Sequence, residues 1–207
     1  MRTFGSFTFD VVEKMFGIAE VKSLPLLTEW LSATFVGDEF TIHQLNKLKR
    51  HLADKAKVWN EDELKMFFIG PLIEEADLTT KDFQPFTQRQ FSATIGNEEI
   101  GGRVDFWVAK GRRLPELPYL CIHEYKQEPD KDGDPIGQVL VAMAVAQFSN
   151  NNQHPLLGAY VVGRSWFFVV LEDNQYAVST LFDASSEDIF QIFAILQKSK
   201  EIIQRFI

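Results

Sequence analysis

The stretch that most constrains this chain is residues 119–126, Y-L-C-I-H-E-Y-K. Tyr119, Leu120, Cys121 and Ile122 form a short apolar run of the kind that fills a strand buried on both faces of a sheet. The run ends in Glu124-Tyr125-Lys126. Side chains two apart on a strand point the same way, so Glu124 and Lys126 are expected on one face with Leu120 and Ile122. A carboxylate and an ammonium at the end of a buried strand must pair or serve a site. Upstream, Val104-Asp105-Phe106-Trp107-Val108 sets a second acid inside another apolar strand. Two acids and a lysine on neighbouring strands point to a metal site. A structural ion pair among the same three residues is the alternative.

The elements around that strand read as one α/β domain with a helical start. Residues 8–58 are expected to be helical, with Val11, Val12, Met15 and Phe16 at helical spacing and Pro25 in the first turn of a second helix. Thr41 is read as the cap of a third, whose stripe is Ile42, Leu45, Leu48 and Leu52. That helix also carries Lys47, Lys49, Arg50, Lys55 and Lys57, a run that fits a solvated face as well as a phosphate-binding one. Asn60 with Glu63 forms a capping-box pair, followed by a buried stripe of Leu64, Phe67, Phe68 and Leu72. Glu61 projects on the inward side and Glu63 further round. Strands follow at 86–95 and 99–109, joined by a turn at Gly96-Asn97. After Glu128 the run P-D-K-D-G-D-P is a loop, and Asp134-Pro135 opens a helix that is apolar almost all round. Strands at 156–162, 165–171 and 176–182 and a helix from Ser186 complete the chain.

Several function classes fall away on content. With 45% hydrophobic residues and 19 Phe, a chain of 207 residues builds a sizeable core. Cys121 is the single cysteine, which excludes an intrachain disulfide, and His43, His51, His123 and His154 lack zinc-ligand spacing. His123, on the opposite strand face from Glu124, reads as a packed or hydrogen-bonded histidine. Trp166 and the phenylalanines around it read as core. No apolar run approaches ~18 residues and the start has no signal-peptide pattern, so a soluble, cytoplasmic protein with no membrane partner is expected. A net charge of −8 argues against a non-specific DNA coat but leaves room for a small basic patch. No glycine-rich phosphate loop follows a strand.

The order helix, three strands, helix, strand, with Asp105, eighteen intervening residues and then Glu124-Tyr125-Lys126, resembles the PD-(D/E)XK nuclease superfamily. More specifically it is similar to the N-terminal nuclease domain of type I restriction enzyme motor subunits and to stand-alone relatives of it. Three further stretches carry the resemblance across residues 60–172. E-D-E-L-K-M-F-F-I-G-P-L-I is similar to that family's first helix, whose leading glutamate matches Glu61. G-Q-V-L-V-A is similar to the helix after the lysine strand, where a glutamine matches Gln138. Y-V-V-G-R-S-W-F-F-V is similar to the hairpin that follows. Glu-x-Lys occurs twice more, at Glu20-Val21-Lys22 and Glu63-Leu64-Lys65, but both copies lie on predicted helices, where the spacing has no meaning for a sheet-edge site. Two positions depart from the pattern. Val104 stands where the motif has its proline, and Ala142 where related nucleases often carry a tyrosine.

The resemblance implies a restriction-endonuclease-like αβββαβ core, a mixed central sheet flanked by helices, over residues 59–207, with residues 1–58 as an N-terminal helical extension. It implies phosphodiester hydrolysis on DNA, with Mg2+ or Mn2+ held by Asp105, Glu124 and the backbone carbonyl of Tyr125. Lys126 then positions the attacking water, Glu61 completes the outer shell, and Gln138 contacts the substrate. Apart from the resemblance, Gln88 and Gln90 on the first strand are candidates to face the site. The competing expectation is a catalytically inactive descendant of the fold, a binding or assembly module for a protein partner or a second copy of itself.

Overall fold

The computed structural model describes residues 1–128, 133–151 and 154–207. In chain order these form β1 (Arg2–Thr3), a 3-10 turn (Phe4–Ser6), α1 (Phe9–Phe16), β2 (Ala19–Glu20), α2 (Pro25–Leu31) and α3 (Glu39–Lys55). Next come α4 (Glu61–Leu64), a π turn (Lys65–Ile69), α5 (Gly70–Ala76), β3 (Gln84–Ile95), β4 (Glu98–Lys110) and β5 (Glu116–Lys126). The chain ends with α6 (Pro135–Ser149), β6 (Leu156–Val162), β7 (Ser165–Glu172), β8 (Gln175–Val178), β9 (Phe182–Asp183) and α7 (Asp188–Gln204). Residues 129–132 of the loop expected after Glu128 lie outside the described residues.

The strands make one mixed sheet in the order β1-β4-β5-β6-β7-β8-β2, with β3 also on β4 and β9 also on β7. β5 and β6 run parallel, and α6 is their crossover. β3/β4, β4/β5, β6/β7 and β7/β8 are antiparallel. One face is covered by α1 and α6, in a core that includes Phe7, Val12, Trp107, Ile122 and Met143. The other carries α2, α3, α4–α5 and α7 over a larger core with Trp30, Leu52, Phe68, Phe168 and Phe193. The first 58 residues contribute to both cores. Trp30 pins α2 to α7 by donating its indole N–H to the Ile195 carbonyl at 2.8 Å and the Ser199 hydroxyl at 3.1 Å.

Local chemistry explains the element boundaries. Asp134 caps α6 through Gly137 N–H at 3.1 Å, and its other oxygen accepts Phe9 N–H at 2.8 Å. A Cβ at position 137 would come within 2.7 Å of the Phe7 carbonyl, so only glycine lets the N-terminal segment cross the helix there. The Asn60–Glu63 capping box forms as expected. The cap of α3 is Asp38 rather than Thr41. Its carboxylate takes Thr41 N–H at 2.8 Å, so the helix starts a turn earlier, and Thr41 donates its hydroxyl to Glu75.

Three expectations, two of side chains and one of a strand, shift because the backbone departs from ideal periodicity. The π turn at Lys65–Ile69 inserts an extra residue, so Phe68 and Ile69 are buried while Phe67 is 47% exposed. On β5 the ladder passes from Val108–Cys121 to Ala109–Tyr119, which leaves Leu120 unpaired at a bulge. Leu120 therefore joins Cys121 in the larger core and leaves the side of Ile122. The strand expected at 176–182 is broken at Ser179, whose hydroxyl accepts Phe168 N–H and donates to the Thr180 carbonyl. The side chain substitutes for the ladder, and β9 resumes pairing at Trp166.

Candidate active site

β4 and β5 stay paired as far as Phe106 and His123 and then part. In the gap, Asp105 Oδ2 accepts the Tyr125 N–H at 2.9 Å, doing with a side chain what the neighbouring backbone no longer does. Asp105 Oδ1 accepts from Gln88 Nε2 at 2.6 Å and from Lys65 Nζ at 2.5 Å. Gln88 lies opposite Asp105 on β3, between the pairs Thr87–Phe106 and Arg89–Val104, and holds a left-handed φ of +53°. A non-glycine residue in that region carries strain, and here the strain coincides with a contact to a largely enclosed carboxylate.

Lys65 also reaches Glu61 Oε1 at 2.5 Å, one helical turn earlier. The second oxygen of Glu61 faces Lys126 Nζ at 3.9 Å, and Lys126 bonds Glu124 Oε1 at 2.7 Å. A continuous polar chain thus runs from Gln88 through Asp105, Lys65, Glu61 and Lys126 to Glu124. Asp105 and Glu124 are the most enclosed of the charged members, and Glu61, 38% exposed, is the open side.

The electrostatics follow from that enclosure. Burial, then the negative charge of Asp105, push the Glu124 carboxyl up to about 7 against the opposing pull of Lys126 and Lys65. Burial works against the charge on Lys65, but Asp105 and Glu61 outweigh it and hold its pKa above the ordinary lysine value. Lys126 behaves alike: burial opposes its charge, and Glu124, Glu61 and Asp105 overcome that opposition. Both ammoniums are therefore firmly cationic.

The structure brings Asp105, Glu124, Lys126 and Glu61 into one cluster, with Tyr125 contributing its backbone between them. Gln138 is buried in the first turn of α6, its amide nitrogen 3.0 Å from where a Cβ on Gly133 would begin. Among the described residues it makes no hydrogen bond to Asp105, Glu124 or Lys126. Gln88 enters the site, whereas Gln90 lies towards Met1. Lys65 is a member that sequence reasoning passed over. Its signal was the four-residue step from Glu61, which puts both on one helix face.

Behind β5, His123 is fully buried, with Nδ1 2.8 Å from the Tyr125 hydroxyl and Nε2 3.2 Å from Cys121 Sγ. Burial lowers its pKa to about 3 and raises that of the Cys121 thiol above the ordinary range, so both are neutral. This is a packed, hydrogen-bonded histidine and not a base facing the cluster. Beyond the strand end, Arg164 clasps Glu128 through Nε at 3.0 Å and a terminal nitrogen at 3.1 Å, fixing the β6–β7 turn.

The donors suited to a cation are all oxygens: Asp105, Glu124 and the Tyr125 carbonyl. Among the described residues no three His, Cys, Asp or Glu side chains gather as a metal-holding group. An ion here would take two carboxylates and a carbonyl from the protein and complete its shell with water, the habit of magnesium rather than zinc. No described helix is long and apolar enough to cross a membrane. No family model matches the sequence, and no curated protein matches it.

Proposed function

We propose that this chain is a metal-dependent nuclease that hydrolyses phosphodiester bonds in DNA, built on a restriction-endonuclease-like core of the PD-(D/E)XK kind. The order α4–α5, β3, β4, β5, α6, β6 supports that reading of the fold. The observation that carries the activity is the parting of β4 from β5 with Asp105 in the gap and Glu124-Tyr125-Lys126 on the adjoining edge. Asp105, Glu124 and the Tyr125 carbonyl would hold Mg2+ or Mn2+. The donor chemistry fits: hard oxygens, with a Glu124 carboxyl whose raised pKa reflects burial and a neighbouring acid. When bound, the ion supplies charge relief at the phosphoryl oxygens and lowers the pKa of a coordinated water.

The chain's own residues do the rest. Lys126, kept protonated by Glu124 and Glu61, donates to the attacking water and to the phosphoryl oxygen that gains charge. Glu61 holds the two lysines apart, one on each carboxylate oxygen, so Lys126 keeps a fixed aim. Asp105, by accepting the Tyr125 N–H, fixes the Glu124–Tyr125 peptide plane and so holds the two parted strand ends at a set distance. Gln138 is the substrate-contacting residue in this reading.

A second reading, a non-catalytic binding or assembly module, draws on one observation: Lys65 already neutralises Asp105. The discriminating experiment incubates the purified protein with linear, supercoiled and single-stranded DNA in Mg2+ or Mn2+. Cleavage that Asp105→Asn and Lys126→Ala each abolish supports the nuclease. Survival of every DNA form, with a captured protein partner indifferent to Lys126→Ala, supports the module.

A further inference from the structure

We infer that Lys65 is an internal competitor for the cation position, a tethered ammonium that a divalent ion must displace from Asp105. The inference rests on the nuclease reading and concerns how that site is controlled. Lys65 Nζ sits 2.5 Å from both Asp105 Oδ1 and Glu61 Oε1, so one ammonium bridges an acid of the sheet and an acid of the helix. Asp105 Oδ2 accepts the Tyr125 N–H and Oδ1 accepts both Gln88 and Lys65, and of these three donors Lys65 is the one that carries a charge and competes with a cation.

The backbone gives Lys65 this place. It is the first residue of the π turn, and such turns re-aim side chains at functional positions. Charge balance points the same way. Glu61, Asp105 and Glu124 face Lys65 and Lys126, so even with all three acids ionised the metal-free cluster keeps no more than one net negative charge. A site designed only to attract a dication would keep more. With Lys65 removed, the same oxygens present one more net negative charge to the ion, and no ammonium sits on Asp105. The side chain is long enough to follow Glu61, its partner on the open side, when an ion takes Asp105. Lys65 thus stabilises the metal-free fold and raises the metal concentration needed to load it.

Calorimetric titration of Mg2+ and of Mn2+ into metal-free full-length protein tests this, with wild type, Lys65→Gln, Lys65→Met and Lys65→Arg in parallel. Lys65→Gln and Lys65→Met are expected to bind either ion about tenfold or more tightly than wild type, since one cation within contact distance has gone. Lys65→Arg keeps the charge and is expected to stay near wild type. In thermal melts the neutral variants should lose stability in chelator and regain more from added metal than wild type does. An ion bound by the neutral variants alone would also support the competitor role. Equal or weaker affinity in both neutral variants, with wild type still binding, overturns the inference and leaves the nuclease reading intact. Binding by none of the four proteins at millimolar ion overturns both.

Discussion

Asp105 Oδ2 accepts the backbone N–H of Tyr125 at 2.9 Å, and this side-chain bond replaces the ladder at the point where β4 and β5 separate. The carboxylate is thus a structural splint as well as a proposed ligand, since it also receives Gln88 and Lys65 on its other oxygen. Losing it strands a backbone donor and an ammonium that are mostly shielded from water. Asp105→Ala is expected to cost about 2–3 kcal/mol, less than a fully buried pair because Lys65 keeps Glu61. Asp105→Asn, which can still accept from Tyr125, is expected to cost about 1 kcal/mol less than the alanine. Urea unfolding in chelator measures both. Equal, negligible losses would mean the splint carries no load.

The π turn makes a prediction that an ideal helix reverses. Phe68 is fully buried and Phe67 is 47% exposed, with Trp59 as a ring neighbour at 5.9 Å. Phe68→Ala should cost about 3–5 kcal/mol as a core cavity. Phe67→Ala should cost about 1 kcal/mol or less, the worth of an exposed aromatic contact. Denaturant melts that rank the two the other way round would show the helix running without the extra residue.

The N-terminal 58 residues carry no recognisable motif, yet they supply core. Phe4, Phe7 and Val12 are buried on one face of the sheet, and Leu27, Trp30, Leu45 and Leu52 on the other. A fragment of residues 59–207 is therefore expected to show no cooperative melt and to aggregate. In the intact chain Trp30→Phe removes the indole donor from the Ile195 carbonyl and should cost about 1–2 kcal/mol. A fragment that melts cooperatively near the full-length Tm would show the extension to be an accessory.

What could be seen beforehand divides along physical lines. The apolar strand, the capping box at Asn60, the Asp134 cap and the fully apolar helix were legible, because each is written in neighbouring residues. So was the approach of Asp105 to the strand end that carries Glu124 and Lys126, since strand adjacency brings it there, where it touches that strand through Tyr125 N–H. Lys65 was not. It occurs in Glu63-Leu64-Lys65, set aside because a helix gives that spacing no meaning, yet Lys65 reaches the site through Glu61 and not through Glu63. The π turn that aims it, the bulge at Leu120 and the break at Ser179 are single-residue departures from period. Tertiary packing decides such departures, and no local pattern announces them.

His123 provides a test that depends on burial alone. It is fully buried among aromatic rings, bonded to Tyr125 and Cys121, and its pKa falls from 6.5 to about 3 on folding. The unfolded chain therefore binds a proton that the folded chain refuses between those two values. Stability from this group is complete above about 6.5 and is lost as pH falls towards 3, with a limiting slope of about 1.4 kcal/mol per pH unit. The carboxylates titrate over part of the same range, so wild type alone does not isolate the effect. His123→Gln keeps hydrogen-bonding atoms without a titrating proton. It should be less stable than wild type at pH 7, because the ring packing is lost. Its free energy of unfolding should fall more gently with acid, so the two curves converge towards pH 4. Parallel curves from pH 7 to 4 would mean that the imidazole is protonated inside the fold, with water or an acid reaching it from the site side of β5.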